Sequence, residues 1–181
     1  MGGSNYNSGS GGGNVYSLTL DQLPSLEEEG LAYFLFSIKP CGVILPHVHP
    51  RASELIFAIS ASNLTVGFIE ENGGRTILNS ISSGYSAIIP KGLIHFATNA
   101  GCQDATFISA LNSEDPGVSA VTNVFNFPTY AMASAFNRTE EEILLIKAGL
   151  PSSPARGIDN CLKLCGINSK KYFKELFFDI S

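Results

Sequence analysis

Seven short apolar segments between residues 31 and 111 restrict most of this chain to an all-β fold. They are five to eight residues long, and Gly, Pro and Asn separate them, as expected for strands joined by turns. Within one of them Leu64, Val66 and Phe68 alternate on one face, and Glu71-Asn72-Gly73-Gly74 then predicts a hairpin turn. Short strands at this spacing predict a β-sandwich or barrel. The predicted strands are 31–38, 54–59, 64–70, 75–81, 85–89, 94–98 and 104–111.

Size and charge limit the classes of function. The chain has 181 residues, 44% of them hydrophobic and 15% charged, which fits one globular domain with a sizeable core. Sixteen acidic residues against eleven basic ones give a net charge of −5. An acidic chain is a poor partner for nucleic acid or an anionic membrane, and no apolar stretch reaches the length of a membrane span. We therefore expect neither partner.

Composition divides the chain into three parts. Residues 1–14 are rich in Gly and Ser and lack the basic start and apolar run of a signal peptide, which predicts a flexible leader. Residues 15–150 are the predicted domain. Thr139 and Glu142 form a capping box at the start of a short helix that Gly149 ends. Residues 151–181 are predicted to be a linker and a tail of unknown role, whose last stretch, KKYFKELFFDIS, favours a short amphipathic helix.

The four cysteines, Cys41, Cys102, Cys161 and Cys165, are too few for a dense disulfide framework. Cys161 and Cys165 are four residues apart, so a helix would place them on one face. A zinc site there would need further ligands, and the tail contains no histidine and no other cysteine. Unpaired or packing cysteines are therefore expected, and the cysteine count does not indicate the redox compartment of the protein.

The strongest chemical signal is the placement of the only three histidines in the chain. His47 and His49 flank Val48 in an extended segment, so both imidazoles point to the same side. Glu54 begins an apolar strand, where a buried carboxylate is costly unless a cation compensates it. His95 begins a later strand that a return turn could bring alongside. These four residues predict one metal site.

The types of ligand restrict the choice of metal ion but do not identify a single one. Three imidazoles and one carboxylate suit the first-row ions Mn, Fe, Zn, Ni and Cu. A six-coordinate ion would keep two positions open, whereas zinc more often has four ligands. The alternative interpretation is that the histidines lie at the surface and Glu54 is an exposed charge at a strand end.

Two motifs resemble the germin-like proteins of the cupin superfamily. The segment 46–54, PHVHPRASE, is similar to the first metal motif of that family. The residues Gly84, Pro90, Gly92, His95 and Asn99 match the second cupin pattern, Gly-x5-Pro-x-Gly-x2-His-x3-Asn. The segment 112–118 and the helix after Thr139 also resemble the family, and the similarity spans roughly residues 15–150.

The resemblance implies a jelly-roll β-barrel with C-terminal helices, and manganese bound by His47, His49, Glu54 and His95. It implies a secreted, often glycosylated protein that forms a homo-oligomer, a trimer or hexamer. Two sequons, at Asn63 and Asn137, agree with glycosylation. Family activities include oxalate oxidase and superoxide dismutase, and some members resemble storage proteins.

Two positions at which this sequence differs from the family's oxalate oxidases indicate which of these activities to expect. Oxalate oxidases of the family carry substrate-binding asparagines at positions that correspond to Ile44 and lie near Phe34 in this chain. Apolar side chains cannot hydrogen-bond a dianion, so oxalate oxidase activity is disfavoured. We expect a manganese-dependent oxidoreductase of the superoxide dismutase type, with Asn99 as support for the ligands. The alternatives are a metal-binding storage or structural cupin, and a small-molecule-binding barrel that holds no metal.

Overall fold

A computed structural model of the chain describes residues 6–157 and 159–167. It has eleven strands in two sheets whose neighbouring strands are all antiparallel. The first sheet has the order β1-β2-β3-β10-β5-β8, and the second has the order β11-β4-β9-β6-β7. The strands are β1 Tyr6–Ser10, β2 Gly13–Leu18, β3 Ala32–Ile38, β4 Val43–Val48, β5 Glu54–Ser60, β6 Leu64–Ile69, β7 Thr76–Ile81, β8 Ser86–Ile89, β9 His95–Asn99, β10 Ala105–Leu111 and β11 Ser119–Ala120.

The two sheets pack face to face around one apolar core, as in a jelly roll. Strand β5 shows the alternation that this arrangement requires, because Glu54, Ile56 and Ala58 are buried whereas Leu55 and Phe57 are exposed. The largest fully buried core side chains in the described strands include Ile38, Leu64, Val66, Ile89 and Phe107. Each of the seven predicted strands is present within two residues of its predicted bounds, and the prediction of an all-β jelly roll is confirmed.

In the described residues, three short α-helices follow the strands: α1 Thr129–Phe136, α2 Glu140–Ala148 and α3 Asp159–Leu164. The predicted helix is α2, and its capping box is present: Thr139 Oγ1 accepts a hydrogen bond from Glu142 N at 3.2 Å, and Thr139 N donates to Glu142 Oε2 at 2.8 Å. Helix α1 was not predicted, since Pro128 precedes it and no side chain caps it. In the described part of the chain, every helix is too short or too polar to cross a bilayer.

The N-terminal segment is a hairpin where the sequence analysis predicts a flexible leader. Residues 6–14 lie in or between β1 and β2, and β2 pairs with β3 in the first sheet. Glycine at position 12 lets the hairpin lie against the backbone of Ala155, which a Cβ would overlap. Gly13 has φ +136°, a conformation that favours glycine. The leader prediction therefore fails for residues 6–14, while the boundary between domain and tail at residue 150 stays a prediction.

Two disulfides tie the C-terminal segment to the barrel. Cys41 is bonded to Cys161, with 5.9 Å between their Cα atoms, and Cys102 is bonded to Cys165, with 5.1 Å. The prediction of unpaired cysteines was wrong. The partners are 120 and 63 residues apart in sequence, so only the return of the chain to the barrel brings them together. The amphipathic helix predicted for residues 170–181 lies outside the described residues.

Candidate metal centre

The four predicted ligands come from both sheets and meet at one end of the barrel. His47 in β4 lies directly opposite His95 in β9, because the two strands pair antiparallel in that register. The β4–β9 ladder is irregular between Ile44 and His47, where Pro46 has no N–H to donate. His49 follows β4 by one residue, and Glu54 approaches from β5 in the facing sheet. The cluster therefore joins the two layers of the fold.

The ligand atoms are close enough to share one cation. The imidazole nitrogens and the carboxylate oxygen of the four residues all lie within 4.8 Å of one another. Glu54 Oε2 is 2.9 Å from His95 Nε2 and 3.6 Å from His49 Nε2. Bonds of about 2.1 Å to one ion place neighbouring ligand atoms about 3 Å apart. His49, Glu54 and His95 are each at most 4% exposed, and His47 is partly buried.

A backbone carbonyl fixes the orientation of each imidazole. A carbonyl can only accept a hydrogen bond, so the ring nitrogen that contacts it must carry the proton. In all three histidines that nitrogen is Nδ1, which leaves Nε2 with a free lone pair. The three contacts are His47 Nδ1 to Leu45 O at 2.8 Å, His49 Nδ1 to Gly117 O at 2.6 Å and His95 Nδ1 to Leu93 O at 2.9 Å.

The carbonyl that orients His49 belongs to a loop anchored on the first metal motif. Gly117 has φ +66°, a conformation that strongly favours glycine. Arg51 holds the same loop, because its Nε donates to Asp115 O and its guanidinium pairs with the Asp115 carboxylate, each at 2.7 Å. Two elements that resemble the family in sequence are therefore in direct contact, and Arg51 positions the loop rather than the metal.

The electrostatics of the site favour the neutral imidazoles of His47 and His49 beside an ionised Glu54. Burial, together with the charges of His95 and His49, lowers the pKa of His47 to about 4. Burial also lowers the pKa of His49. Burial opposes the ionisation of Glu54, but its contact with His95 and the nearby histidine charges outweigh that effect and keep its pKa below the ordinary value. At neutral pH His47 and His49 therefore offer free electron pairs to a cation.

Two buried atoms of the cluster have no hydrogen-bond partner in the described structure. Glu54 Oε2 and His95 Nε2 approach to 2.9 Å, yet the geometry between them is not that of a hydrogen bond. Leaving such buried polar atoms unpaired is costly. A cation between them would satisfy both, so the donor set fits a metal ion.

Asn99 has a different role from the predicted one. It is fully buried, and its Nδ2 contacts the carbonyls of Ile38, Lys39 and Gln103 at 2.7–3.1 Å. Its Oδ1 accepts a hydrogen bond from Gly101 N at 3.0 Å. None of these groups belongs to the metal ligands, so the prediction that Asn99 supports the ligands was wrong. Asn99 instead links the turns at the opposite end of β9.

Sequence reasoning named Phe34 as a residue of the pocket wall but missed other neighbours of the site. The Phe34 ring stacks on His49, with 5.8 Å between ring centroids. Ser109 is fully buried on β10, the strand that pairs with β5 and its Glu54. The carbonyls of Leu45, Leu93 and Gly117 could not be found from side-chain types, because any residue supplies a carbonyl. Only the strand alternation around Ser109 could have indicated its inward direction.

A cavity of about 240 Å³ opens beside the ligands. The imidazoles of His47 and His49 form part of its wall, and most of the other described lining residues are apolar. The apolar lining residues are Val15, Phe34, Phe36, Ile44, Leu45, Val118 and Ala120. The cavity is therefore large enough for a small molecule in contact with the metal ligands.

Comparisons with known proteins agree with this geometry. The cupin family model matches residues 4–144. Spherulin-1A of Physarum polycephalum is 31% identical, over 87% of this chain and 64% of its own length. Germin-like protein 11-1 of Oryza sativa subsp. japonica is 36% identical, over 64% of this chain and 51% of its own length. The chain therefore spans less than two thirds of either relative.

A solved structure gives the same fold independently. Recombinant oxalate oxidase in complex with glycolate matches with a TM-score of 0.73 at 27% identity, over 78% of this chain and 73% of that one. Since the family model covers most of the sequence and the barrel and histidine cluster agree with it, this chain belongs to the cupin family, among the germin-like and spherulin proteins.

Proposed function

We propose that His47, His49, Glu54 and His95 bind one manganese ion and that the protein is a manganese-dependent oxidoreductase of the superoxide dismutase type. One observation carries the proposal: three Nε2 lone pairs and an unpaired carboxylate oxygen converge in a buried site. Such convergence is unfavourable without a cation, because buried polar atoms need partners.

The donor set supports manganese among the first-row metals. Three neutral imidazoles and one carboxylate around a divalent ion give a net charge of about +1. Fe, Ni and Cu accept the same ligands. Zinc more often has four ligands, so these four residues would fill its coordination sphere. Manganese with these four protein ligands keeps positions open for a small molecule, which the adjacent cavity could deliver.

The bound metal would supply one-electron redox chemistry, and the protein residues would hold and orient it. The carbonyls of Leu45, Gly117 and Leu93 keep each Nε2 directed at the centre. Glu54 adds the single negative charge from the facing sheet. The burial of His49, Glu54 and His95 limits the access of water, which strengthens electrostatic interactions at the site.

Metal content and superoxide loss, measured on the wild type and on His95→Ala, test the proposal. We expect about one manganese per chain and activity in the wild type, and loss of both in the variant. Asn79→Ala, at an exposed position of β7, is the control and should change neither quantity. A wild-type protein that contains no metal would contradict the whole proposal.

A structural or storage role is the second candidate, and the burial of the cluster between the sheets favours it. An ion held by β4, β9 and β5 would cross-link the two layers, because ligand assembly couples to folding. In that case chelation would lower the melting temperature sharply, while superoxide loss would be at background level in the metal-loaded protein.

Oxalate oxidation is a weaker proposal, although a solved relative is an oxalate oxidase. Ile44 and Phe34 both line the cavity, where they offer no hydrogen bond to a dicarboxylate. Turnover of oxalate by the manganese-loaded protein would show that this argument is wrong.

An extracellular location is also proposed, on the basis of the two disulfides. Disulfides persist in oxidising compartments and are rare in the cytosol. Asn63 and Asn137, the two sequon positions, are both exposed. Expression through a secretory pathway, followed by glycosidase treatment and mass measurement, tests the location and the glycans together.

We further propose that the protein forms a homo-oligomer, a trimer or hexamer, by covering an apolar patch on the first sheet. In strand pairing Leu55 lies opposite Ile88, and Phe57 and Ile59 follow on the same face. These four side chains are 42–63% exposed, which is unusual for a contiguous surface patch. Sedimentation equilibrium of the wild type and of Leu55→Lys tests the assembly, and a monomeric wild type would contradict it.

A further inference from the structure

The cavity beside the metal ligands combines an aromatic wall with few polar groups. Phe34 and Phe36 lie 6.2 Å apart between ring centroids, and Phe34 also stacks on His49. None of the described lining residues is Lys or Arg. Ser153 contributes the one hydroxyl among them, and its oxygen already accepts a hydrogen bond from Leu45 N at 3.1 Å.

The charge of the site limits the ligand to a monoanion or a neutral molecule. With a divalent ion, three neutral imidazoles and Glu54 leave one net positive charge, which a monoanion neutralises. A dianion would keep an excess negative charge against an apolar wall that offers no cation to pair with it. Because a buried unpaired charge is strongly unfavourable, the cavity discriminates against dicarboxylates.

The size of the cavity limits the ligand further. A volume of about 240 Å³ lies below the roughly 300–1,000 Å³ of pockets for drug-sized molecules. One aromatic ring with a single acidic group suits such a space, and rings gain additional attraction from aromatic neighbours at centroid distances of about 4.5–7 Å. Phe34 and Phe36 are placed to provide those neighbours.

We propose that this cavity binds a small aromatic monoanion, an aryl carboxylate or phenolate, with its ring against Phe34 and Phe36 and its oxygen on the side of His47 and His49. The inference rests on the proposed metal site, since the metal supplies the positive charge. It assigns a ligand class to that site and makes Phe34 a specificity-determining residue.

Calorimetric titration of the manganese-loaded protein with benzoate, acetate and oxalate tests the inference. Benzoate should bind at least tenfold more tightly than acetate, which lacks the ring, and than oxalate, which carries the second charge. Equal affinity for acetate and benzoate, or tighter binding of oxalate, would overturn it. Metal content is measured first: a protein without metal overturns the proposed function as well, whereas a loaded protein that prefers oxalate overturns this inference alone.

Substitutions in the cavity wall separate the contribution of the aromatic contact to ligand binding from the contribution of charge. Phe34→Asn should weaken benzoate binding at least fivefold at unchanged metal content, and Phe34→Leu should retain part of the affinity. Val118→Lys, at a lining position that is 59% exposed, should shift the preference towards oxalate without disturbing the core. Leu78→Asn on β7 is the matched control outside the cavity and should bind all three ligands as the wild type does. Unchanged benzoate binding in Phe34→Asn would place the ring elsewhere and overturn the assignment.

Discussion

The buried polar residues of this protein form two groups. The side chains of the first group form the candidate metal site, and those of the second group hydrogen-bond the backbone elsewhere in the barrel. His47, His49, Glu54 and His95 converge on one point, whereas Asn99 at the far end of β9 touches none of them. Both groups are buried and polar. Loss of a ligand should therefore affect metal binding, and loss of Asn99 should affect stability.

Substitution Asn99→Ala should lower the free energy of unfolding by about 3 kcal/mol, because it leaves buried carbonyls and one N–H without a partner. The carbonyls are those of Ile38, Lys39 and Gln103. Urea denaturation of the metal-free protein measures the change, with the exposed Asn79→Ala as control. The metal content should stay at the wild-type level, and a selective loss of metal would instead restore the predicted role of Asn99 at the ligands.

The sequence predicts which four side chains converge, but it predicts the groups that orient them poorly. The spacing of His47 and His49 predicts that both side chains point the same way, because strand alternation is a local property. Glu54 can be recognised because a carboxylate at the start of an apolar strand is unusual. The carbonyls that orient the imidazoles carry no side-chain signature. The second motif places Asn99 four residues after His95, but it does not show that the turns at the far end of β9 supply its hydrogen-bond partners.

Among the elements, helix α2 is the one whose start is defined most clearly by local sequence. Its capping box satisfies N–H groups that the helix itself cannot pair. Helix α1 begins at Thr129 without a side-chain cap. The two helices therefore offer a direct comparison of the same residue type with and without a capping role.

Substitution Thr139→Ala should destabilise the protein by about 1 kcal/mol through loss of the cap. Thr129→Ala is the matched control, since it changes the same residue type at the start of α1, where no capping bond exists. Thermal and urea unfolding of both variants should separate them. Equal effects would mean that the capping box contributes nothing measurable.

Glu142 gives α2 a pH-dependent contribution. The backbone N–H of Thr139 holds the pKa of Glu142 below its ordinary value of 4.5, so the folded state favours the ionised form. Its stabilisation is present above pH 4.5 and is lost as the pH falls through the lower folded pKa. Glu142→Gln should therefore be less stable than the wild type at pH 7, and the difference should shrink at pH 3. A difference that grows on acidification would contradict this assignment.

Element boundaries show where local pattern suffices and where it fails. Strands β5 to β10 follow from apolar alternation and turn residues. The β1–β2 hairpin could not be predicted in this way, because its Gly-rich composition is also typical of a flexible linker. Their function is steric: Gly12 and Gly13 let the hairpin approach the backbone of residues 37–38 and 154–155, and such long-range contacts are invisible in a local pattern.

In the whole molecule, the two disulfides join the C-terminal end of the described chain to the barrel. Replacement of both cysteines of either pair by serine should lower the free energy of unfolding by about 2–5 kcal/mol, mainly by releasing a constraint on the unfolded chain. Urea denaturation of Cys41→Ser/Cys161→Ser and of Cys102→Ser/Cys165→Ser measures each bond separately. Curves that superimpose on that of the wild type would contradict this expectation.

The fold class could be predicted at this scale, but the cross-links could not. Strand spacing and the two cupin motifs restrict the architecture to a jelly roll. The cysteine pairs depend on the path of residues 151–167 after α2, where Val43 and Ala155 form an isolated bridge that returns the chain to the barrel. Nothing in the spacing of the four cysteines specifies that path.

The Cys41–Cys161 bond has a further consequence for cleavage by proteases. A single cut anywhere in the loops or helices between these two residues yields two fragments that remain covalently joined. A nicked molecule would therefore keep its full mass under non-reducing conditions, and a thiol would be needed to reveal the damage. The exposed helical region after β11 can be severed without releasing either piece from the barrel.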